Sequence, residues 1–299
     1  MLRHLRQTRR SERFFDTLST LMPSWLPTDA EVRDRVDRLE LPFDRFGFDP
    51  YGVDKRDLAF FFSLVGWLYR HYFSIRCDGI HHVPTRGRAM VVGNHQGGVA
   101  IDGLMIIGSA FFEMEPPRLA QVMAEKFIFK LPGSYFSTRI GAVAGLPEHA
   151  IRLLDDERLL LVFPEGVRGT AKLAHEANTL VRFGTGFMRL ALKTRTPIVP
   201  VAFVGGGEAF PTVANLTGLG KLFGLPYLPV TRYLLPVPRP VSCQIVYGEP
   251  MHLQGSGDEA DDEIEELVEG VRAAIAELIV RGRRLRGEVT STLPGEAAR

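Results

Sequence analysis

The chain has 299 residues, 45% of them hydrophobic and 24% charged, with a formal net charge of +1. That length buries a sizeable core as one large domain with appendages or as two small domains, and the composition is that of a folded globular protein. The near-neutral charge argues against broad nucleic-acid binding, which needs a strongly basic surface. The two cysteines, Cys77 and Cys243, provide neither a disulfide framework nor metal-ligand spacing, and reduced thiols fit a protein on the cytosolic side.

The chain opens on a basic, amphipathic stretch. Arg3, Arg6, Arg10 and Arg13 recur at three- and four-residue spacing, offset from Leu2, Leu5, Phe14, Leu18 and Leu21. A helix here carries a cationic stripe beside an apolar one. It either lies on an anionic membrane surface or forms a solvated terminus. No uninterrupted apolar run follows the arginines, which argues against a secretory signal; the lack of acid in residues 1–10 leaves a transit peptide open. Thr28 or Asp29 caps a second helix through Val32, Val36 and Leu39, which stops before Pro42.

Leu58 to Tyr69 is the most apolar stretch, bounded by Arg56 and Arg70. Its roughly twelve residues fall short of the ~20 needed to cross a bilayer. It is either a core helix covering a sheet or a monotopic anchor dipping Phe60 to Phe62 and Trp67 among headgroups. Its aromatic character, continued in His71, Tyr72 and Phe73, favours the anchor.

From Ser74 short apolar runs alternate with helical ones. Strands are expected over 73–77, 89–92, 119–123, 142–144, 159–163, 198–204 and 241–247, and helices over 101–112, 127–140, 148–155 and 186–193. This alternation predicts an α/β fold, a mixed and mostly parallel sheet flanked by helices, preceded by an N-terminal helical membrane-associating segment. The expected divisions are 1–73 for that segment, 74–255 for the α/β domain and 256–299 for a C-terminal helix with a disordered tail. Leu216 to Val230 is apolar without helical or strand period. It reads as a connection that is either packed or a lip for a lipid tail or membrane, and the cost of exposing so much Leu and Phe favours the second. Ile264, Leu267, Val271, Ile275 and Leu278 mark the last helix, which opens on acidic residues and closes on Arg281 to Arg286, as the helix dipole favours.

Two strand ends carry chemistry. The run Ala89 to Val92 ends in Gly93-Asn94-His95, passes Gly97-Gly98 and reaches Asp102. A histidine at a strand exit with a carboxylate nearby has the makings of a general base whose tautomer is fixed. The second strand ends in Phe163-Pro164-Glu165-Gly166-Val167-Arg168. Proline and glycine around the carboxylate force a turn that is expected to hold Glu165 at the mouth of a crevice, with Arg168 able to bind phosphate. In parallel sheets ligands gather at the carboxyl ends of strands, so His95 and Glu165 are expected to share one crevice.

These blocks resemble the glycerolipid acyltransferase family of the phosphatidic-acid-forming type. The resemblance rests on Asn94-His95 with Asp102, Phe163-Pro164-Glu165-Gly166 and Pro197-Ile198-Val199-Pro200-Val201. Gly133-Ser134-Tyr135-Phe136-Ser137-Thr138-Arg139 is similar to the family's second block. Phe183-Gly184-Thr185-Gly186-Phe187 and Gly205-Gly206-Gly207-Glu208 resemble the branch that includes mono- and diacylglycerol acyltransferases and phytyl-ester synthases. The resemblance implies that His95 is the catalytic base, Asp102 its orienting carboxylate and Arg139 the acceptor-binding arginine. It places Glu165 and Gly166 in the third block, Arg168 near the acceptor's polar head and Pro200 as a structural residue of the acyl pocket. The implied activity is O-acyl transfer from acyl-CoA or acyl carrier protein to a hydroxyl of a glycerolipid, lysophospholipid or related lipid alcohol. It needs no bound cofactor, and it would be carried out peripherally or monotopically on the cytoplasmic face of a membrane. A non-catalytic lipid-binding protein of the same fold and a lipid esterase are the alternatives.

One spacing departs from the family. Six residues separate His95 from Asp102 where the usual block has four. On a continuous helix, residues seven apart lie about 10 Å apart along the axis, so Gly97-Gly98 must hold the first residues out of the helix and fold the loop back. No phosphate-loop Lys-Ser/Thr follows Gly205-Gly206-Gly207, Ser134 lacks a nucleophile-elbow context, and His81-His82 lack further metal ligands at plausible spacing.

Overall fold

A computed structural model describes residues 30–98, 100–130, 134–235 and 237–288. The amphipathic stretch before residue 30, the caps Thr28 and Asp29, and the tail beyond Glu288 lie outside the described residues. Helix α1 (Ala30–Asp37) buries Val32 and Val36, and α2 (Lys55–Trp67) starts where the Asp54 carboxylate accepts from the backbone N–H groups of Arg56 and Asp57. Along α2, Leu58, Phe61, Phe62 and Val65 are buried, and Phe62 stacks on Phe111 with ring centroids 3.6 Å apart. The expected dipping of Phe60 to Phe62 among headgroups is corrected by this packing. Phe61 and Phe62 belong to the core that α2 shares with the sheet, and Phe60 meets Phe136 edge-on.

The strands of the described residues are, in chain order, β1 (Arg76–Asp78), β2 (Ala89–Gly93), β3 (Ala120–Ala124), β4 (Ala142–Ala144), β5 (Leu159–Val162), β6 (Ile198–Val204), β7 (Thr212–Leu216), β8 (Leu228–Thr231) and β9 (Gln244–Tyr247). Seven of them form one sheet in the order β1-β9-β6-β2-β5-β3-β4, parallel at every pairing except β6–β9. The helices that follow α2 are α3 (Ile101–Phe112), α4 (Ser134–Arg139), α5 (Pro147–Asp155), α6 (Val167–Thr170), α7 (Gly186–Thr194), α8 (Gly206–Ala209), α9 (Thr217–Leu222) and α10 (Asp261–Leu285).

Side chains alternate across the central strands. Val91, Leu161 and Val201 join one core with residues of α2 and α3; Val92, Leu160 and Ala202 join the other with residues of α5, α7 and α10. Burial on both faces is why these strands are apolar throughout rather than alternating with polar residues. The mixed α/β sandwich matches the expected fold class. Pro200 sits in a central strand, a position that ordinarily excludes proline. Its neighbours two residues back and at its own carbonyl explain the exception. Ile198 N–H and the Pro200 carbonyl both bond to the chain trailing β9, at Met251 and Gly248, so the missing N–H falls on a side where the β9 ladder has ended.

Three elements differ from expectation. The helix expected over 127–140 is two pieces, a 3-10 turn (Ile128–Lys130) and α4, because Pro132-Gly133 intervenes. The first strand begins three residues late, since the chain runs on from α2 through a π-helical turn (Leu68–Tyr72) that Phe73 closes by donating to the Leu68 carbonyl. The connection at 216–230 is structured: β7 and β8 pair antiparallel in a ribbon that carries α9 at its tip. Because β6 and β9 are antiparallel, this ribbon leaves and rejoins the sheet at the carboxyl end of β6.

Candidate active site

His95 and Asp102 meet. The imidazole Nδ1 lies 3.1 Å from Asp102 Oδ2, and both side chains are almost wholly buried. The fold-back is made by Gly97 and Gly98 at φ +87° and +69°, backbone that L side chains resist. Each glycine is also fixed by contact, Gly97 against the Lys172 carbonyl and Gly98 against the Phe210 ring. The turn brings Asp102 into the first turn of α3, where its carboxylate accepts from Gly103 N–H at 2.7 Å and Gln96 N–H at 2.9 Å. With the Asp102 oxygens accepting from the Gln96 and Gly103 N–H groups, Nδ1 is placed to donate to Oδ2, the tautomer that leaves the Nε2 lone pair free. The ring is stacked on Phe163 at 4.0 Å between centroids.

Glu165 is elsewhere than expected. It is 1% exposed, so it does not stand at a crevice mouth. Its Oε1 accepts from His95 N–H and its Oε2 from Val181 N–H, each at 2.9 Å. The sharp turn at Pro164-Glu165-Gly166 folds the carboxylate inward, toward the His95 N–H just past the end of β2, which has no sheet partner, and the Val181 N–H of the segment before α7.

The residue that completes this arrangement carried no motif. Lys172 Nζ lies 2.5 Å from Glu165 Oε2 and donates to the His95 carbonyl at 2.7 Å. Burial pushes its ammonium below the usual lysine range, opposed by the Glu165 charge. One buried ion pair therefore holds both backbone groups of His95, the N–H through Glu165 and the carbonyl through Lys172. The only sequence signal is indirect: a buried carboxylate demands a cation, and Lys172 is the lysine that follows it. Between the two, Gly169 packs so closely that a Cβ there would lie 2.6 Å from Glu165 Cβ and 2.8 Å from His95 Cβ.

Asn94 and Gln96 fasten the same loop to β6. Asn94 exchanges two bonds with the Phe203 backbone, and Gln96 Oε1 accepts from Gly205 and Gly206 N–H while its amide donates to Ala177 and Asn178. The Gly205-Gly206-Gly207 triplet thus faces the loop that carries His95. Gln96 also lines a cleft of about 360 Å³ with Arg232, Tyr233 and Arg239. A cleft of about 590 Å³ lies at the opposite end of the sheet, beside Gly87, Leu119 and Leu159, away from the carboxyl ends where such sheets bind ligands.

The two arginines implied by the resemblance are placed differently from His95. Arg139 ends α4, where it pairs with Asp57 at 3.0 Å and Asp54 at 3.4 Å, donates to the Tyr135 hydroxyl and lies over the Tyr135 and Phe48 rings. Its guanidinium joins α4 to the start of α2. Arg168 is exposed on α6 and donates to the Arg182 carbonyl at 3.1 Å. Gly166, at φ +56°, immediately precedes α6.

The Acyltransferase family model matches residues 74–204. An uncharacterized protein of Mycobacterium tuberculosis is 34% identical over 81% of this chain and 70% of its own length. A human protein named DGAT1/2-independent enzyme synthesizing storage lipids is 26% identical over 72% of this chain and 64% of its own. The crystal structure of the 1-acyl-sn-glycerophosphate (LPA) acyltransferase PlsC from Thermotoga maritima, 18% identical, superposes with a TM-score of 0.53 over 79% of this chain and 83% of that one, a likeness of fold. With its blocks in order and a histidine–aspartate pair at the sheet's carboxyl end, the chain belongs to the glycerolipid acyltransferase family, as an O-acyltransferase.

Proposed function

We propose that the protein moves a fatty acyl group from an acyl thioester, acyl-CoA or acyl carrier protein, to a hydroxyl of a glycerolipid, lysophospholipid or related lipid alcohol. The observation that carries this reading is the buried His95–Asp102 contact at 3.1 Å. Nε2 takes the proton of the acceptor hydroxyl as its oxygen attacks the thioester carbonyl, and Asp102 stabilises the imidazolium. The tetrahedral intermediate collapses with cleavage of the C–S bond, and the imidazolium returns its proton to the departing thiolate. No acyl-enzyme forms.

On the acceptor, one contact favours a choice. Arg139 is committed to Asp54 and Asp57, which leaves Arg168 as the exposed cation of the third block. That arrangement suits a neutral acylglycerol better than a glycerol phosphate, and it accords with the name of the human relative. On this reading the reaction takes place at a membrane, peripherally or monotopically on its cytoplasmic face. Among the described residues no helix is long and apolar enough to cross one.

The test incubates purified protein with labelled acyl-CoA and acyl carrier protein donors and a panel of glycerides, lysophospholipids and alcohols, beside His95→Ala. Transfer that survives the substitution sinks the mechanism. Release of fatty acid alone favours an esterase, and binding without turnover a lipid-binding protein.

A further inference from the structure

The ribbon at the carboxyl end of β6 puts on its surface what the rest of the fold hides. Leu222 is 77% exposed and Phe223 61%, with Leu216 and Leu219 each 45% exposed on the same short tip. These side chains sit on an ordered element. The inner side of the ribbon is packed: Thr212, Gly220, Tyr227 and Thr231 are buried, and Asn215 donates to the Ala171 carbonyl at 2.6 Å. The apolar tip is thus held outward by a fixed scaffold and is not a loose loop in search of a core. Exposed Leu and Phe at this density mark an interaction surface.

Charge identifies what that surface meets. From Ala209 to Gly248 the chain contains no Asp or Glu, while it contains Lys221, Arg232 and Arg239. Over the whole chain acids and bases are nearly equal, 35 against 36, so an acid-free run of this length is a local departure. Lys221 sits among the exposed apolar side chains of the tip, and Arg232 and Arg239 are exposed where the ribbon returns to the sheet. Apolar side chains flanked only by cations match a bilayer interface, where acyl chains lie beneath phosphate. A protein partner would find no acidic rim residue along this run.

We infer that the β7–α9–β8 ribbon is a membrane-docking element that inserts Leu219, Leu222 and Phe223 into an anionic lipid surface. Its place in the fold gives the docking a purpose, on the lipid-acyltransfer reading above. Phe210, at the base of the ribbon, packs on Gly98 of the His95–Asp102 turn, and Ala171, which Asn215 holds, adjoins Lys172. Arg232 and Arg239 line the cleft that reaches Gln96. Docking through the ribbon therefore seats the lipid surface beside the loop that carries the base.

Flotation of the full-length protein tests this without requiring turnover. Vesicles of equimolar phosphatidylcholine and phosphatidylglycerol are compared with vesicles of phosphatidylcholine alone. Leu222→Glu/Phe223→Glu should lower partition into the anionic vesicles roughly tenfold or more, with the thermal midpoint unchanged. Lys221→Glu/Arg232→Glu should abolish the preference for phosphatidylglycerol while sparing part of the binding. Phe223→Trp supplies a direct readout: the emission it adds over wild type should be quenched by brominated acyl chains. Undiminished flotation of the double glutamate variant, or unquenched emission, would overturn the inference. So would a dimer that the double variant converts to monomer with vesicle binding intact, because the tip would then face a second copy. A loss of transfer with soluble substrates and normal flotation would instead count against the enzymatic reading alone.

Discussion

The turn that carries His95 and the ribbon that follows β6 rise from the same end of the sheet and are built in opposite ways. The turn buries polar groups: His95, Asp102, Glu165, Lys172, Asn94 and Gln96 are all below 9% exposed, and they are bonded to one another or to backbone. The ribbon exposes apolar ones. Burying charge costs stability unless every partner is present, and exposing Leu or Phe forgoes burial of about 1.5–3 kcal/mol per side chain. Each region therefore departs from the arrangement that stability alone would favour. The turn gains a histidine held by its backbone and ring, and the ribbon keeps its apolar side chains available to something outside the protein.

The comparison is sharpest at His95, the proposed base. His95→Ala should lower acyl transfer by about 10²–10⁴-fold, the usual contribution of general-base catalysis. A rate within tenfold of wild type in a single-turnover assay would remove His95 from the chemistry. The next effect belongs to the Glu165–Lys172 ion pair, the clamp on the His95 backbone. Lys172→Met leaves the Glu165 carboxylate buried without its cation and should cost about 3–5 kcal/mol in chemical denaturation. Glu165→Gln/Lys172→Met should recover a large part of that loss, since neither charge then remains. If the two changes add independently in a double-mutant cycle, the pair is not coupled and the clamp is wrong.

A smaller effect is expected at the turn. Gly98→Ala forces a side chain into left-handed backbone and against Phe210, which should cost about 1–3 kcal/mol and lower turnover more than it raises KM. Unaltered turnover in a folded variant would separate the turn from catalysis. The ribbon provides the least effect on stability. Leu222→Glu should change the unfolding free energy by no more than about 0.5 kcal/mol, as surface substitutions do. A loss of several kcal/mol would mean that the tip is packed in solution and that the contrast between the two regions does not hold.

Much of the frame was legible in the residues. Strands 142–144 and 198–204 and the helix at 101–112 fall where the apolar periods put them, because both faces of a parallel strand are buried and the pattern needs no knowledge of the partner. The pairing of His95 with Asp102 could be reasoned from the glycine pair, since a local turn depends on local conformational freedom. Three placements were decided by a distant surface. The apolar face of α2 meets α3 in the core, Glu165 turns inward to the end of β2, and Arg139 is held by Asp54 and Asp57 from 82 and more residues away. Lys172 was signalled only indirectly, by a buried carboxylate's need for a cation: nothing in its own neighbourhood along the chain distinguishes it from a surface lysine.

By itself, then, the sequence determined the alternation of strands and helices, the family blocks and the need for the Gly97-Gly98 fold-back. These follow from periodicity and backbone freedom, which are properties of a residue and its near neighbours. Tertiary structure alone decided which charges are buried together, which arginine is already paired and which apolar run stays at the surface. Those outcomes depend on what each side chain meets across the fold, where desolvation and partner geometry set the balance and chain position does not.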